Sequence, residues 1–313
     1  MQVFIAGATG VLGRRVVDSL VADGYEVVGL SRSQQNTDWL SSHGALPRRG
    51  DLFNQEQISE ITADCDAILH LATAIPTGAR PRKRDWAMND LIRREGTRAL
   101  VGAALHNNCQ LYVQQSITRI YGDHGAEWVD ESTPLPEKQL DVIQSAVDME
   151  QIVQDAAAHG LPATILRLGI FYSHDSAHTQ AMFQLMPRRS YPIVGAGGGY
   201  WSQLHVDDAA AAVCQVVKQP GACIGQTFNV CDNLPIQYGN LMAFVAETLN
   251  APQPRRIPVW LARLLLGNLT VGPLLASTRC RNECFKNQTG WQPKYPTYRE
   301  GIPAEVEKWR RQK

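Results

Sequence analysis

The opening stretch, residues 1–33, MQVFIAGATGVLGRRVVDSLVADGYEVVGLSRS, decides the fold. Val3, Phe4 and Ile5 form a short apolar run that predicts a buried strand. Gly7, Gly10 and Gly13 follow at three-residue spacing. Val11, Leu12, Val16, Val17 and Leu20 then recur with helical spacing, so a helix opens near Gly10. Gly24 ends it, and Tyr25 to Leu30 predicts a second strand. A glycine turn between a strand and a helix is where a dinucleotide pyrophosphate meets free backbone N–H groups at the positive end of the helix dipole. A Cβ at Gly7 or Gly10 would obstruct the turn or the phosphate, and one at Gly13 would push the helix off the sheet. Gly7, Thr9, Gly10, Val11, Leu12 and Gly13 are therefore the expected cradle.

The second strand ends in Ser31-Arg32, where an NAD-selective site would place a carboxylate for the ribose hydroxyls. A guanidinium instead suits a 2′-phosphate, with Arg14 a second cation nearby. This favours NADP(H) and leaves NAD(H) open. A short third strand runs into Gly50-Asp51-Leu52. Asp51 could accept an adenine amine or cap the helix that Asn54 begins. Residues 65–71, CDAILHL, predict a fourth strand. Leu71, Ala72, Thr73 and Ala74 at its carboxyl end stand where open α/β sheets bind ligands. The basic run Arg80, Arg82, Lys83, Arg84 reads as a solvated loop that could border the site.

With 313 residues, 30 Lys plus Arg against 30 Asp plus Glu, and zero formal net charge, the composition suits one large α/β domain with an extension. It gives no support to a nucleic-acid partner. The seven scattered cysteines point to a reducing, cytoplasmic setting. Cys280 and Cys284 lack further ligands nearby, so no metal is expected. The first strand starts at Gln2, which leaves no expectation of a signal peptide. The apolar stretch 258–275 carries Arg263, Asn268 and Pro273, so no membrane partner is expected.

Further along, one long helix is predicted over 86–106, with Asn89 and Gly96 within it. A fifth strand covers 110–114 and leads to Gln115, Ser116, Thr118 and Tyr121. A helix over 141–159 precedes a sixth strand over 163–167. Strand–helix alternation to about residue 170 predicts a Rossmann-type, doubly wound parallel sheet. The expected division is a dinucleotide-binding domain, 1–170, with later strands added from about 225–232, and a small substrate-binding lobe over 171–313. Tyr172, Trp201 and His205 are the expected substrate-side residues. His205-Val-Asp-Asp also reads as a helix start capped by Asp207.

GATGVLG, Asp51, HLAT, Asn89…Gly96-Thr97, SITRIYG, RLGIFY, HVDD and the closing GWQPKYPTYREG occur in an order that resembles the extended short-chain dehydrogenase/reductases, the group with the NAD-dependent epimerases and dehydratases. The resemblance covers most of the chain. It implies a nicotinamide cofactor, a catalytic Ser/Thr matched by Ser116, and a Tyr-x-x-x-Lys pair on the helix after the fifth strand. It also implies a homodimer through the 86–106 and 141–159 helices.

That pair is missing. The resemblance sets Gln144 at the tyrosine and Asp148 at the lysine, and neither can do that work at neutral pH. Three readings follow. An NADP(H)-dependent oxidoreductase of a small carbonyl or hydroxyl compound could use Tyr121, His205 or solvent as proton donor. A non-redox isomerase or lyase, epimerase/dehydratase-like, could use Asp148 as base. A non-catalytic NADP(H)-binding sensor would need neither.

Overall fold

Seven parallel strands form one sheet in the computed structural model, which describes residues 1–78 and 80–312. They are β1 (Gln2–Ala6), β2 (Glu26–Ser31), β3 (Leu46–Arg49), β4 (Ala67–His70), β5 (Leu111–Ile117), β6 (Ala163–Leu168) and β7 (Thr227–Val230), in the order β7-β6-β5-β4-β1-β2-β3. The chain winds outward from β1 through β2 to β3, then returns to the other side of β1 for β4. Val3 thus sits opposite both Val27 and Ala67. The reversal leaves a crevice at the carboxyl ends of β1 and β4, the place such sheets use for ligands. Val3, Phe4, Ile5, Ile68 and Val113 are fully buried, because both faces of the sheet are covered by helices.

One face carries α1 (Val11–Ala22), α2 (Gln34–Ser42) and, from far along the chain, α8 (Val206–Lys218), which packs on α1. The other carries α3 (Gln55–Ile61), α4 (Lys83–Leu91), α5 (Thr97–His106) and α6 (Asp141–Ala158). Helix α2 is absent from the sequence expectation for a physical reason: QQNTDWLSS buries only Leu40, so no apolar stripe marks it. Asn54, rather than Asp51, caps α3 through the Gln57 amide.

The helix expected over 86–106 is not uniform. It begins at Lys83, and a π turn over Ile92–Gly96 separates α4 from α5. A Cβ on Gly96 would lie 3.0 Å from Leu52 Cδ2, so glycine lets the helix close onto the loop after β3. Such π turns rotate neighbouring side chains out of helical register and recur at functional sites.

The segment from 170 to 205, together with residues from 236 to 309, builds the lobe. It includes α7 (Ala177–Leu185) and the short strands Ile170–Tyr172 and Gln203–His205, which pair in parallel. Tyr172, Phe183, Trp201, Tyr238, Ile302 and Trp309 form its core. Asp207 does not cap α8; His205 does, accepting the Asp207 amide proton on Nδ1 at 3.0 Å. Its Nε2 lies 2.9 Å from buried Glu305, on the last helix, Tyr298–Arg311. Burial alone would raise the Glu305 pKa. Hydrogen bonds from His205, Lys308 and His174 outweigh it, and the carboxyl is held well below the usual range.

Among the described residues no helix is long and apolar enough to cross a membrane, and no His/Cys/Asp/Glu group could hold a metal ion. All seven cysteines are free thiols, and only Cys284 is exposed.

Candidate functional site

A cleft of about 1040 Å³ runs from the glycine turn, across the carboxyl ends of β1, β4, β5 and β6, to the lobe. Its first half is made largely of backbone. Gly7 has φ +92°, and a Cβ there would lie 2.6 Å from the Ala72 nitrogen. A Cβ on Gly13 would collide with the Gly7 carbonyl oxygen. Gly10 caps α1 without a side-chain hydrogen bond, and the first turn holds no acidic residue. The opening amides of α1 therefore point into the cleft unpaired. This fits a dinucleotide pyrophosphate, since the cradle is one that any side chain would fill. Thr9, Gly10, Val11, Leu12 and Gly13 all line it.

At the rim stand Arg32, Asn36, Asp51 and Leu52. Ser31 does not reach the cleft. It is buried, and its hydroxyl meets the Ser33 carbonyl at 3.0 Å and Thr37 Oγ1 at 2.9 Å, bracing the turn into α2. Arg14 donates to the Thr9 carbonyl and lies 5.0 Å over the Trp39 ring. Leu71, Ala72 and Thr73 form the floor. Asn89 is buried behind that floor; its Oδ1 accepts the Ala74 amide proton at 3.1 Å, so both residues shape the loop after β4 rather than the wall.

The second half departs from the sequence expectation. Strand alternation turns Gln115 and Ile117 into the cleft and Ser116 away from it. The Ser116 hydroxyl donates to Glu150 Oε1 at 2.5 Å. Arg167 grips Glu150 through Nε (3.0 Å) and Nη2 (2.7 Å), and its Nη1 donates to the Tyr121 hydroxyl at 2.8 Å. Tyr121 in turn donates to Asn229 Oδ1 at 2.9 Å. Burial pushes the Tyr121 phenol up despite the pull of Arg167. Ser116 and Tyr121 thus belong to a closed, buried network behind the wall.

Gln144 and Asp148 also lie outside the cleft. Asp148 accepts from Gln144 Nε2 at 2.9 Å and from Arg94 Nε at 2.6 Å, on the half-exposed side of α6. Helix α6 shows the cleft Val142 and Ile143 instead. Gln144 lies about 200° around the helix from Val142, which is why it cannot share that wall. Tyr172, Trp201 and His205 are likewise not among the lining residues. They form lobe core one layer back, with the Tyr172 and His205 rings 5.2 Å apart and Arg119 lying 4.9 Å over Trp201. The lining on that side is largely apolar, with Phe171, Ala181, Leu185, Val194 and Leu274, and is interrupted by Ser176, His178, Ser190, Tyr191 and Thr270.

Several polar groups on this half have unmet capacity, among them the buried, unpartnered Trp86 Nε1 and Thr270 Oγ1. Gln115 Oε1 is buried without a partner. Arg93, within the π turn, lines the cleft as well. Arg93 and its neighbour Arg94 differ in burial because adjacent positions of a helix face different sides: one is buried and the other half-exposed. Below it His70 is buried beside the Ile92 carbonyl, and burial pulls its pKa down to about 4, so it is neutral.

A family model described as the NAD dependent epimerase/dehydratase family matches residues 3–231. Among characterised proteins, the chain is 29% identical to a Streptomyces 3-diazoavenalumate denitrifying reductase over 97% of this chain and 100% of the relative. It is 26% identical to the 4-hydroxy-2-methyl-3-oxo-4-farnesyl-3,4-dihydroquinoline-1-oxide ketoreductase of Stigmatella aurantiaca, over 79% of this chain and 73% of that one. In fold it is similar to a human epimerase family protein crystallised with NADPH, with a TM-score of 0.80, 16% identity, and coverage of 98% and 99% of the two chains.

Proposed function

Because the chain belongs to the NAD dependent epimerase/dehydratase family, we propose that it is an NADP(H)-dependent reductase of a small, largely apolar molecule with a polarised double bond. Its class, NAD(P)-dependent oxidoreductase of the extended short-chain type, is shared with relatives named as reductases. The observation that carries the finer reading is the α6 wall. Val142 and Ile143 stand at the cleft face of that helix, and the candidate acids Tyr121 and Asp148 are engaged elsewhere.

A bound nicotinamide cofactor supplies the hydride. The chain's own part is positioning and water exclusion. The glycine turn and the α1 amides hold the pyrophosphate; Arg32 and Asn36 at the rim suit a 2′-phosphate, where Asp51 is the one carboxylate among the described lining residues. Gln115 Oε1 offers an acceptor to an amide N–H at the reacting end. Ile117, Val142 and Ile143 keep that end apolar, and the Thr118 hydroxyl there is engaged with the Cys280 thiol. With Tyr121 and Asp148 engaged elsewhere, the proton reaches product from solvent. Names of the relatives that carry diazo and keto groups on apolar frames support this substrate class.

The chain's free, mostly buried thiols support a cytoplasmic setting, and exposed Met88, Leu91 and Leu105 on α4 and α5 support a homodimer through those helices. The deciding experiment follows NADPH and NADH oxidation with a panel of aryl and alkyl ketones and nucleotide sugars. NADPH oxidation by an apolar ketone is the expected result. Tight NADPH binding with no oxidation across the panel would point to the sensor reading instead.

A further inference from the structure

Arg93 is 5% exposed and lies in the reacting half of the cleft. Its Nη1 donates to the Val142 carbonyl at 3.3 Å and to the Ser145 hydroxyl at 3.2 Å. Its Nε and Nη2 make no hydrogen bond to any described residue, and neither is sealed from the cleft. Of the carboxylates nearby, Asp148 is committed to Arg94 and Glu150 to Arg167, while Asp90 acts on Arg93 through its charge but makes no ion pair or hydrogen bond with it, its Oδ1 being buried without a partner. Burial lowers the Arg93 pKa to about 10, in part against Asp90, so the group is charged at neutral pH.

A guanidinium held this deep with no anion hydrogen-bonded to it is expensive unless a ligand completes it. Arg167 shows the completed form in the same molecule, with Nε and Nη2 both on Glu150. On Arg93 the same Nε–Nη2 edge is open. That edge meets two oxygens side by side, the geometry of a carboxylate, whereas one carbonyl oxygen would use half of it. The cofactor's phosphates are accounted for at the other end, by the α1 amides and Arg32. Around Arg93 the wall is Trp86, Ile92, Ile117, Val142 and Ile143.

We propose that Arg93 is a carboxylate-recognition site, so that the cleft takes an apolar organic acid, its carboxylate on the Nε–Nη2 edge and its body along the lobe wall. This rests on the reductase reading for which face of the cleft meets substrate, but its test needs no turnover. The protein saturated with NADP⁺ is titrated calorimetrically with 4-phenylbutanoate and with 4-phenylbutan-1-ol. The acid binds about tenfold more tightly or better, as a charge-assisted bidentate pair requires. Arg93→Met erases the preference, Arg93→Lys keeps part of it, and both bind NADPH within about twofold of the unmodified protein. Equal affinities for acid and alcohol, or no binding of either, overturn the proposal without needing any variant. An Arg93→Met protein that is folded by circular dichroism yet loses NADPH also overturns it, because the arginine would then serve the cofactor. If the unmodified protein binds no NADPH, it is the underlying reductase reading that fails.

Discussion

The two halves of the cleft are made of different material. The nucleotide half is backbone: a glycine turn, the first amides of α1 and the floor at Leu71–Thr73, all within short spans of sequence. The reacting half is side chains from the end of β5, the π turn, α6 and the lobe wall, brought together over a hundred residues of separation. Behind that half lies the Ser116–Glu150–Arg167–Tyr121–Asn229 network, which fixes β5, α6, β6 and β7 relative to one another. A backbone site is specified by where side chains are absent. A side-chain site is only as good as what locks its supports.

The largest expected effect therefore lies behind the reacting half. Glu150→Ala leaves Arg167 buried and unpaired, and should lower unfolding free energy by about 3–5 kcal/mol in a denaturant titration. A loss under about 1 kcal/mol would mean that the two halves do not differ in this way. In the nucleotide half, Gly13→Ala places a methyl group against the Gly7 carbonyl, backbone against backbone. Overpacking of about 1–3 kcal/mol and at least a tenfold loss of NADPH affinity should appear together. Stability lost with affinity intact would separate the glycine from the ligand.

The lobe wall provides a pH test. A carboxyl with a depressed folded pKa adds stability above its unfolded pKa, about 4.3, and loses it as pH falls below. Glu305 is such a group. The melting temperature should drop steeply below about pH 4.5, and Glu305→Gln should be less stable at pH 7 by about 2–3 kcal/mol with a flatter acid limb. Parallel acid limbs would show that another carboxyl sets the transition. At the rim, Arg32→Ala should weaken NADPH about tenfold and leave NADH nearly unchanged, the size of one lost charge-assisted pair; equal losses for both would remove Arg32 from cofactor selection. The smallest effect belongs to Gln144→Ala and Asp148→Asn, which touch only a half-exposed pair with Arg94 and should cost under about 1 kcal/mol with NADPH affinity unchanged. A large change in either would return α6's outer side to the cleft.

This contrast also explains what was legible in the chain. The glycine turn, the sheet and the floor after β4 were readable, because period and glycine spacing are local signals. Asn89 and Ser31 lie close to the expected places but serve as braces, a distinction set by side-chain direction. Ser116 was misplaced by a single residue of strand alternation, and Gln144 and Asp148 by the rotation of one helix. Arg93 was passed over because a charged residue on a helix reads as solvated, although it falls at helical spacing from buried Asn89, Thr97 and Leu100. Tyr172, Trp201 and His205 have the composition of a binding wall but fill the layer beneath it.

Glu305 lies in the final helix, yet its partners His174 and His205 stand a hundred or more positions earlier. The carboxylate that orients those two imidazoles therefore comes from far along the chain. The layer beneath the lobe wall is thus locked by a clasp between segments a hundred or more residues apart, so its shape depends on long-range closure where the glycine turn depends on neighbours alone.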